Sequence, residues 1–188
     1  EKELFIDPYL FGVWLGDGTS TATNITVSDF DAEEMMQNVS GASGYSVELH
    51  HCKDRACYFK VDKQKSNQIG EESFMYNLRK LNLIGNKHIP EEYLHASVEQ
   101  RLELLQGLMD TDGTCSKEGQ CSFVQKSKEL SEQVLELINS LGIKAKMIKR
   151  KSVLNGQEIS DIYNITFFAD KGTRVFRINR KYERQKDH

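Results

Sequence analysis

Two stretches of this 188-residue sequence follow one pattern: LFGVWLGDG at Leu10–Gly18 and LQGLMDTDG at Leu105–Gly113. Each reads as an apolar helical run closed by an aspartate and a glycine, and the two aspartates, Asp17 and Asp112, stand 95 residues apart. A single Asp-Gly stop is an ordinary polar turn. An acid at a helix C-terminus, however, meets the negative end of the dipole, at a cost of roughly 0.3–1 kcal/mol when exposed. A local rule broken twice in matching context points to a functional site. Gly12 and Gly16 lie four apart on one helix face, and Gly107 and Thr111 match them. Small residues at that spacing let two helix backbones approach closely, so these four positions are the expected helix interface. Packed about a pseudo-twofold axis, the two helices would end with Asp17 and Asp112 side by side. Two carboxylates that close repel unless a cation lies between them, and hard oxygen ligands suit Mg²⁺. An EF-hand reading of DTDGTCSKEGQC fails, because that loop needs its glycine sixth and here it comes fourth.

The segments after each motif repeat one order of elements. In the first half, Asp7 and Pro8 suit a helix start, and Gly18 is expected to end that helix in a left-handed conformation. NITVSDF follows as a strand, with Ile25 and Val27 in alternation, then DAEEMMQNV as a helix. YSVELHHCKDRACYFKVDK reads as a hairpin around Lys53–Arg55, and EESFMYNLRKL as a further helix. In the second half, Ser97 and Gln100 form a capping box before a stripe of Leu102, Leu105, Leu108 and Met109. QCSFVQKS is a short strand, and Leu130, Val134, Leu137, Ile138 and Leu141 mark an amphipathic helix closed by Gly142. KAKMIKRKSV and EISDIYNITFF read as strands around an Asn155–Gly156 turn, and GTRVFRINRKYER as a closing helix. The expectation is a duplicated α+β unit, with repeats at 1–95 and 96–188 forming one compact pseudo-symmetric body.

The net charge of −3 hides an uneven distribution. Residues 1–142 hold 13 Lys and Arg against 23 Asp and Glu, whereas residues 143–188 hold 12 against 5. The basic tail half is what a polyanion partner would require, although a solvated surface explains the charge equally well. No apolar run is long enough to span a membrane, and no signal peptide is apparent. The four cysteines, Cys52, Cys57, Cys115 and Cys121, do not follow the common zinc spacings. A site of His50, His51, Cys52 and Cys57 is conceivable, but reduced thiols in an intracellular protein are the simpler reading. That places the chain in cytoplasm or nucleus, depending on the host.

Both nonapeptides resemble the motif of the LAGLIDADG homing endonucleases, the second more closely than the first. The repeated element order extends the resemblance over nearly the whole chain, as a monomeric two-repeat member. It implies a pseudo-symmetric αββαββα-like core in each half, two motif helices packed at the centre, and β-saddles over DNA. It also implies that Asp17 and Asp112 are the catalytic acids and, with Gly16 and Thr111, the metal ligands. Leu15 stands where the family often has an acid, but that position is not the catalytic one. LNLIGNKHIP is similar to a block of intein-encoded members, with Lys87 as the basic residue that assists at the scissile phosphate. Lys87 lies 70 residues beyond Asp17, and Lys181, in INRKYERQ, lies 69 beyond Asp112.

The expected function is site-specific double-strand cleavage of DNA at a long recognition site, with Mg²⁺ and Mn²⁺ as a substitute. Two carboxylates bridged by a divalent cation supply charge neutralisation, an activated water and a stabilised leaving oxygen. Lys87 and Lys181 add positive charge. Lys53, Arg55, Lys60, Lys149, Arg150 and Lys151, all on expected strands or their turns, are the candidate DNA contacts. The alternative on the same fold is a cleavage-inactive DNA- or RNA-binding protein, a maturase or regulator. An unrelated α+β interaction protein would have no nucleic-acid affinity. No obligate protein partner is expected, and neither is protein splicing, since residue 1 is not a nucleophilic Cys or Ser and no terminal His-Asn pair is found.

Overall fold

The structure is a computed structural model that describes residues 3–42, 44–51, 56–62, 73–154 and 157–187. The chain opens with α1 (Pro8–Asp17), β1 (Asn24–Ser28), α2 (Ala32–Ala42), β2 (Ser46–His51), β3 (Ala56–Asp62), α3 (Phe74–Lys80) and α4 (Glu91–Leu94). It continues with α5 (Val98–Thr111), β4 (Gly113–Cys115), β5 (Gln120–Gln125), α6 (Lys128–Ser140), β6 (Ala145–Leu154), β7 (Gln157–Phe168) and α7 (Asn179–Tyr182). The result is an α+β fold with two antiparallel sheets, ordered β1-β3-β2 and β4-β5-β7-β6. The sheets correspond strand for strand: β1 to β5, β3 to β7 and β2 to β6. Where the second half has β4, the first has a single bridge between Gly18 and Ile25.

The two motif helices form the centre. The Asp7 carboxylate caps α1 by accepting from the Leu10 N–H at 3.0 Å, and Pro8 occupies the first turn. Ser97 and Gln100 close the capping box of α5. With Tyr9, Leu10, Phe11, Val13, Trp14 and Leu15 all buried, α1 has no solvent face along this run. A helix apolar all round belongs inside a protein. α1 and α5 touch backbone to backbone. A β-carbon on Gly12 would lie 3.0 Å from the Gly107 Cα, and one on Gly107 would lie 2.7 Å from the Val13 nitrogen. Next along the same seam, Gly16 faces Thr111, whose Cβ would lie 2.7 Å from an added β-carbon. The small-residue face read from the sequence is the helix interface.

Each sheet buries one face against the core. Ile25, Val27, Cys57, Phe59 and Val61 do so in the first, and Cys121, Phe123, Ile165 and Phe167 in the second. The amphipathic α6 lays Leu130, Val134, Leu137 and Ile138 on the second sheet's core side. Gly142 follows with φ of 78°, a left-handed turn that suits glycine.

Two local expectations are corrected. Gly18 is extended, with φ of −69° and ψ of 144°, not left-handed. Its requirement is closeness: its N–H donates to the Trp14 carbonyl at 2.9 Å, and a β-carbon would lie 2.7 Å from Trp14 Cγ. The closing helix is only four residues long. The stretch before it buries Val175, Phe176 and Ile178 in the core, and its backbone bonds elsewhere. Short α4 and β4 had no separate sequence signal. The turn residues Lys53 and Arg55, and Asn155–Gly156, lie outside the described residues.

Candidate active site

Asp17 is the last residue of α1 and Asp112 caps α5, so both carboxylates are carried to one end of the central helix pair. Both are half-buried. Burial raises both carboxyls above their ordinary range, and Asp112, further opposed by the negative charge of Asp17, is pushed up to about 6. The Lys181 and Lys87 ammonium groups act the other way on both acids.

The two lysines occupy matching places. Lys87 Nζ donates to the carbonyls of Leu15 at 2.9 Å, Gly16 at 3.2 Å and Gly18 at 2.7 Å. Lys181 Nζ donates to Met109 at 3.0 Å, Asp110 at 2.7 Å, Thr111 at 3.3 Å and Gly113 at 2.7 Å. The last carbonyls of a helix have no partner within it, and a cation there also meets the favourable end of the dipole. Each lysine thus closes the helix of its own half. Electrostatically the pairing crosses. Among the two lysines, Lys181 acts first on Asp17, and among the two motif acids Lys87 is raised first by Asp112. Burial lowers the Lys87 ammonium to about 8 and lowers Lys181 as well.

A cleft of about 320 Å³ lies beside Asp17, lined by Asp31, Asp110, Arg180, Lys181 and Arg184 among others. A second, of about 480 Å³, lies on the other side against Gly16, Gly85, Asn86, Lys87, Lys126 and Ser127. The correspondence is positional: Arg180 and Asn86 each precede their lysine, and Asp31 and Ser127 each stand at the start of the second helix of a half.

The halves differ in one respect. Asp110, two residues before Asp112, is buried and accepts from the Tyr9 hydroxyl at 2.7 Å and from the N–H groups of Arg177 and Ile178 at 3.0 and 3.1 Å. Burial still raises its carboxyl to about 6. Its counterpart in the first half is the apolar Leu15. Asp110, Tyr9, Arg177, Asp31, Arg180 and Gln133 carry no local sequence signal for these roles, because their partners lie far along the chain.

The candidate DNA contacts separate. Strand alternation puts Lys60 on the face away from the core, across from Asn24 and Glu48. Arg150 and Lys146 share the corresponding face of the second sheet, paired with Ile162 and Thr166. Lys149 and Lys151 point to the opposite side and both bond Asp161, at 2.7 and 2.9 Å. The strand period of two already carried this division. Among the described residues no group of three or more His, Cys, Asp or Glu side chains converges as a metal site. Cys57 is buried and donates to Asp29, and Cys52 lies outside the described residues. No described helix is long and apolar enough to cross a membrane.

The doubled motif helix, the paired acids and the two sheets are similar to the two-motif LAGLIDADG arrangement. Residues 99–179 match the LAGLIDADG-like domain. The chain is 34% identical over 181 residues to the replicative DNA helicase DnaB of Mycobacterium intracellulare, covering 96% of this chain and 26% of that one. It is 25% identical over 178 residues to the homothallic switching endonuclease of Saccharomyces cerevisiae, covering 80% of this chain and 30% of that one. The chain therefore spans less than a third of the length of either relative. Among solved structures, it resembles the homing endonuclease I-DmoI in complex with DNA and Mn, at a TM-score of 0.55 and 14% identity over 86% of this chain and 88% of that one. The I-DmoI complex with DNA and Ca gives 0.52 and 14%, over 86% and 81%. These likenesses give the fold.

Proposed function

We propose that the protein is a site-specific endonuclease that cuts both strands of duplex DNA. The observation that carries this reading is the pair of half-buried carboxylates, Asp17 and Asp112, at the shared end of two helices, each end closed by a lysine. The homothallic switching endonuclease and I-DmoI are the relatives that favour it. The match to about a quarter of a helicase sequence fits a segment inserted in a host protein, as an intein-encoded member would be.

The donor set fits a hard divalent cation. Burial raises the proton affinity of both carboxyls in spite of the two lysines, and a divalent cation held by them would offset that cost. Asp17 and Asp112 would hold it, with the carbonyls of Gly16 and Thr111 adjoining. With so few protein ligands, water and phosphate oxygens must complete the shell, which suits Mg²⁺, with Mn²⁺ as a substitute. Such an ion supplies Lewis acidity and a lowered water pKa. The chain's own groups do the rest. Asp17, which lines the first cleft, and Asp112 would turn their carboxylates to such an ion rather than to the phosphates, which an anion repels. Lys181 and Lys87 fix the helix ends that carry these acids and lend positive charge where negative charge develops. The outward sheet faces, with Lys60, Lys146 and Arg150, lie along the duplex and set affinity through the phosphates.

We read the chain as two repeats, 1–95 and 96–188, acting as a monomer inside the cell on a long asymmetric site. The direct test is incubation with a randomised duplex library and Mg²⁺, followed by sequencing of the ends. Defined paired ends support the reading. Binding without any cut, in Mg²⁺ and in Mn²⁺, would sink it.

A further inference from the structure

The segments that carry the two lysines are each held by the opposite half of the molecule. Arg180, one residue before Lys181, donates from Nε to Asp31 Oδ1 at 2.6 Å and from Nη2 to Oδ2. Asp31 is 6% exposed, stands at the start of α2, and also takes the Ser28 hydroxyl at 3.1 Å. Beside it, the Asn179 N–H donates to Glu34 of α2 at 2.8 Å. On the other side, Ile89, two residues after Lys87, is gripped at both backbone groups by Gln133 of α6. Its N–H donates to Gln133 Oε1 at 2.8 Å, and Gln133 Nε2 donates to its carbonyl at 3.1 Å. Helices α2 and α6 are the second helices of the two halves.

Each lysine therefore sits on a segment with two anchors. Its ammonium closes the motif helix of its own half, and its backbone neighbourhood is tied to the second helix of the other. A bidentate guanidinium–carboxylate pair and a two-point amide clasp are both directional contacts, unlike a lone surface ion pair. We propose that Arg180 and Gln133 are positioning residues, each setting the lysine of one cleft through a contact that crosses between the halves, so that the two strand-cutting sites are adjusted separately. The inference rests on the endonuclease reading for its functional consequence. Its structural part stands without it.

The crossed arrangement makes a prediction that simple destabilisation does not. Loosening one clasp should slow the cutting of one strand, whereas a weaker fold slows both. A misplacement near 1 Å at a reacting centre is enough for a loss of about 10²-fold. The test uses a cleavable duplex recovered from a randomised pool, with the two strands carrying different labels, and single-turnover rates for each strand. Arg180→Lys and Asp31→Asn are expected to slow the same strand by about tenfold or more, with nicked duplex accumulating. Gln133→Leu is expected to slow the other strand. Equal slowing of both strands overturns the proposal. So does a normal rate in Asp31→Asn beside a slow Arg180→Lys, because Arg180 then acts on phosphate directly. A parent protein that cuts no duplex overturns the endonuclease reading instead. The clasp is then tested without DNA, through the NMR signals of the lysine side-chain CεH₂ groups. Asp31→Asn should move the Lys181 signals and spare those of Lys87, with Gln133→Leu doing the reverse. Shifts without that selectivity overturn the clasp.

Discussion

Lys87 hydrogen-bonds the Gly18 carbonyl at 2.7 Å, one residue past the helix that carries Asp17, while Leu15 and Gly16 take its remaining bonds. The ammonium is thus engaged by the backbone rather than held open for substrate. Lys87→Met strips the donor from those carbonyls and frees the end of α1, so Asp17 loses its fixed position. Single-turnover cleavage is expected to fall by about 10²–10³, the loss typical of a removed charge-stabilising donor, with much less change in equilibrium binding. Lys181→Met should act alike through the end of α5. Tenfold weaker binding at a normal rate would make Lys87 a phosphate anchor instead.

The acids should separate catalysis from binding. Asp17→Asn and Asp112→Asn are each expected to abolish double-strand cleavage while retaining most DNA affinity, since a metal-holding carboxylate reads no bases. Their effect on stability should have the opposite sign. Asp112 holds its proton up to about 6, against an ordinary value of 3.8. Between these pH values the folded state binds more protons than the unfolded one, so stability falls as pH rises through the window. Without metal, Asp112→Asn should therefore melt higher than the parent at pH 7, and the gap should close below about pH 4. Added Mg²⁺ should raise the parent's Tm more than the variant's. A parent Tm indifferent to Mg²⁺ and Mn²⁺ would count against a metal at these acids.

Two glycine substitutions should move stability in opposite directions. Gly12→Ala drives a methyl into the backbone of α5, close to the Leu104 carbonyl and the Gly107 Cα. Overpacking of this kind costs roughly 1–3 kcal/mol or more where no side chain can yield. Gly41, near the end of α2, has nothing within 4 Å of an added β-carbon. Gly41→Ala should gain about 0.4–1 kcal/mol by reducing the freedom of the unfolded chain. Urea unfolding of the two variants checks both signs.

The helix seam, both acids and both lysines were legible because a repeat doubles every local signal. Spacings of 70 and 69 residues mean little singly and much as a pair. The strands on either side followed from alternation and turns. What remained hidden depends on distant partners. Arg180 and Asp31 lie 149 residues apart, and Asp110 meets Ile178 68 residues on. The last segment read as a helix from its composition. Buried Gln185 instead donates to the carbonyls of Ala169 and Thr173 and accepts from the Val175 N–H, holding that stretch as a loop. No period in the sequence encodes a buried amide bonded at several points along one loop.

Salt dependence should distinguish the two faces of β6. Arg150 and Lys146 project from the face away from the core, whereas Lys149 and Lys151 turn the other way onto Asp161. Arg150→Ala and Lys146→Ala should each reduce the slope of log K against log salt by about 1, by losing one phosphate contact. Lys149→Ala and Lys151→Ala should leave it nearly unchanged. Equal effects from all four would place the duplex along the strand edge rather than across the face.

The Tyr9 hydroxyl crosses from α1 to donate to Asp110 of α5 at 2.7 Å. Burial favours the neutral acid at Asp110, and this bond, with those from Ile178 and Arg177, favours the carboxylate. Tyr9→Phe keeps the ring, and with it the Arg177 guanidinium stacked 4.0 Å above, but removes the donor. A hydrogen bond to a charged group contributes roughly 1.5–3 kcal/mol, so the variant should be destabilised by about that much at pH 8. The carboxyl's proton affinity should also rise further above its present value of about 6. Below that value Asp110 is protonated in both proteins, and the lost bond is no longer to an anion. The stability difference should therefore shrink as pH falls from 8 to 5, as urea unfolding across that range would measure. A difference that stays constant would mean that the Tyr9 hydroxyl does not favour the carboxylate of Asp110 over its neutral form.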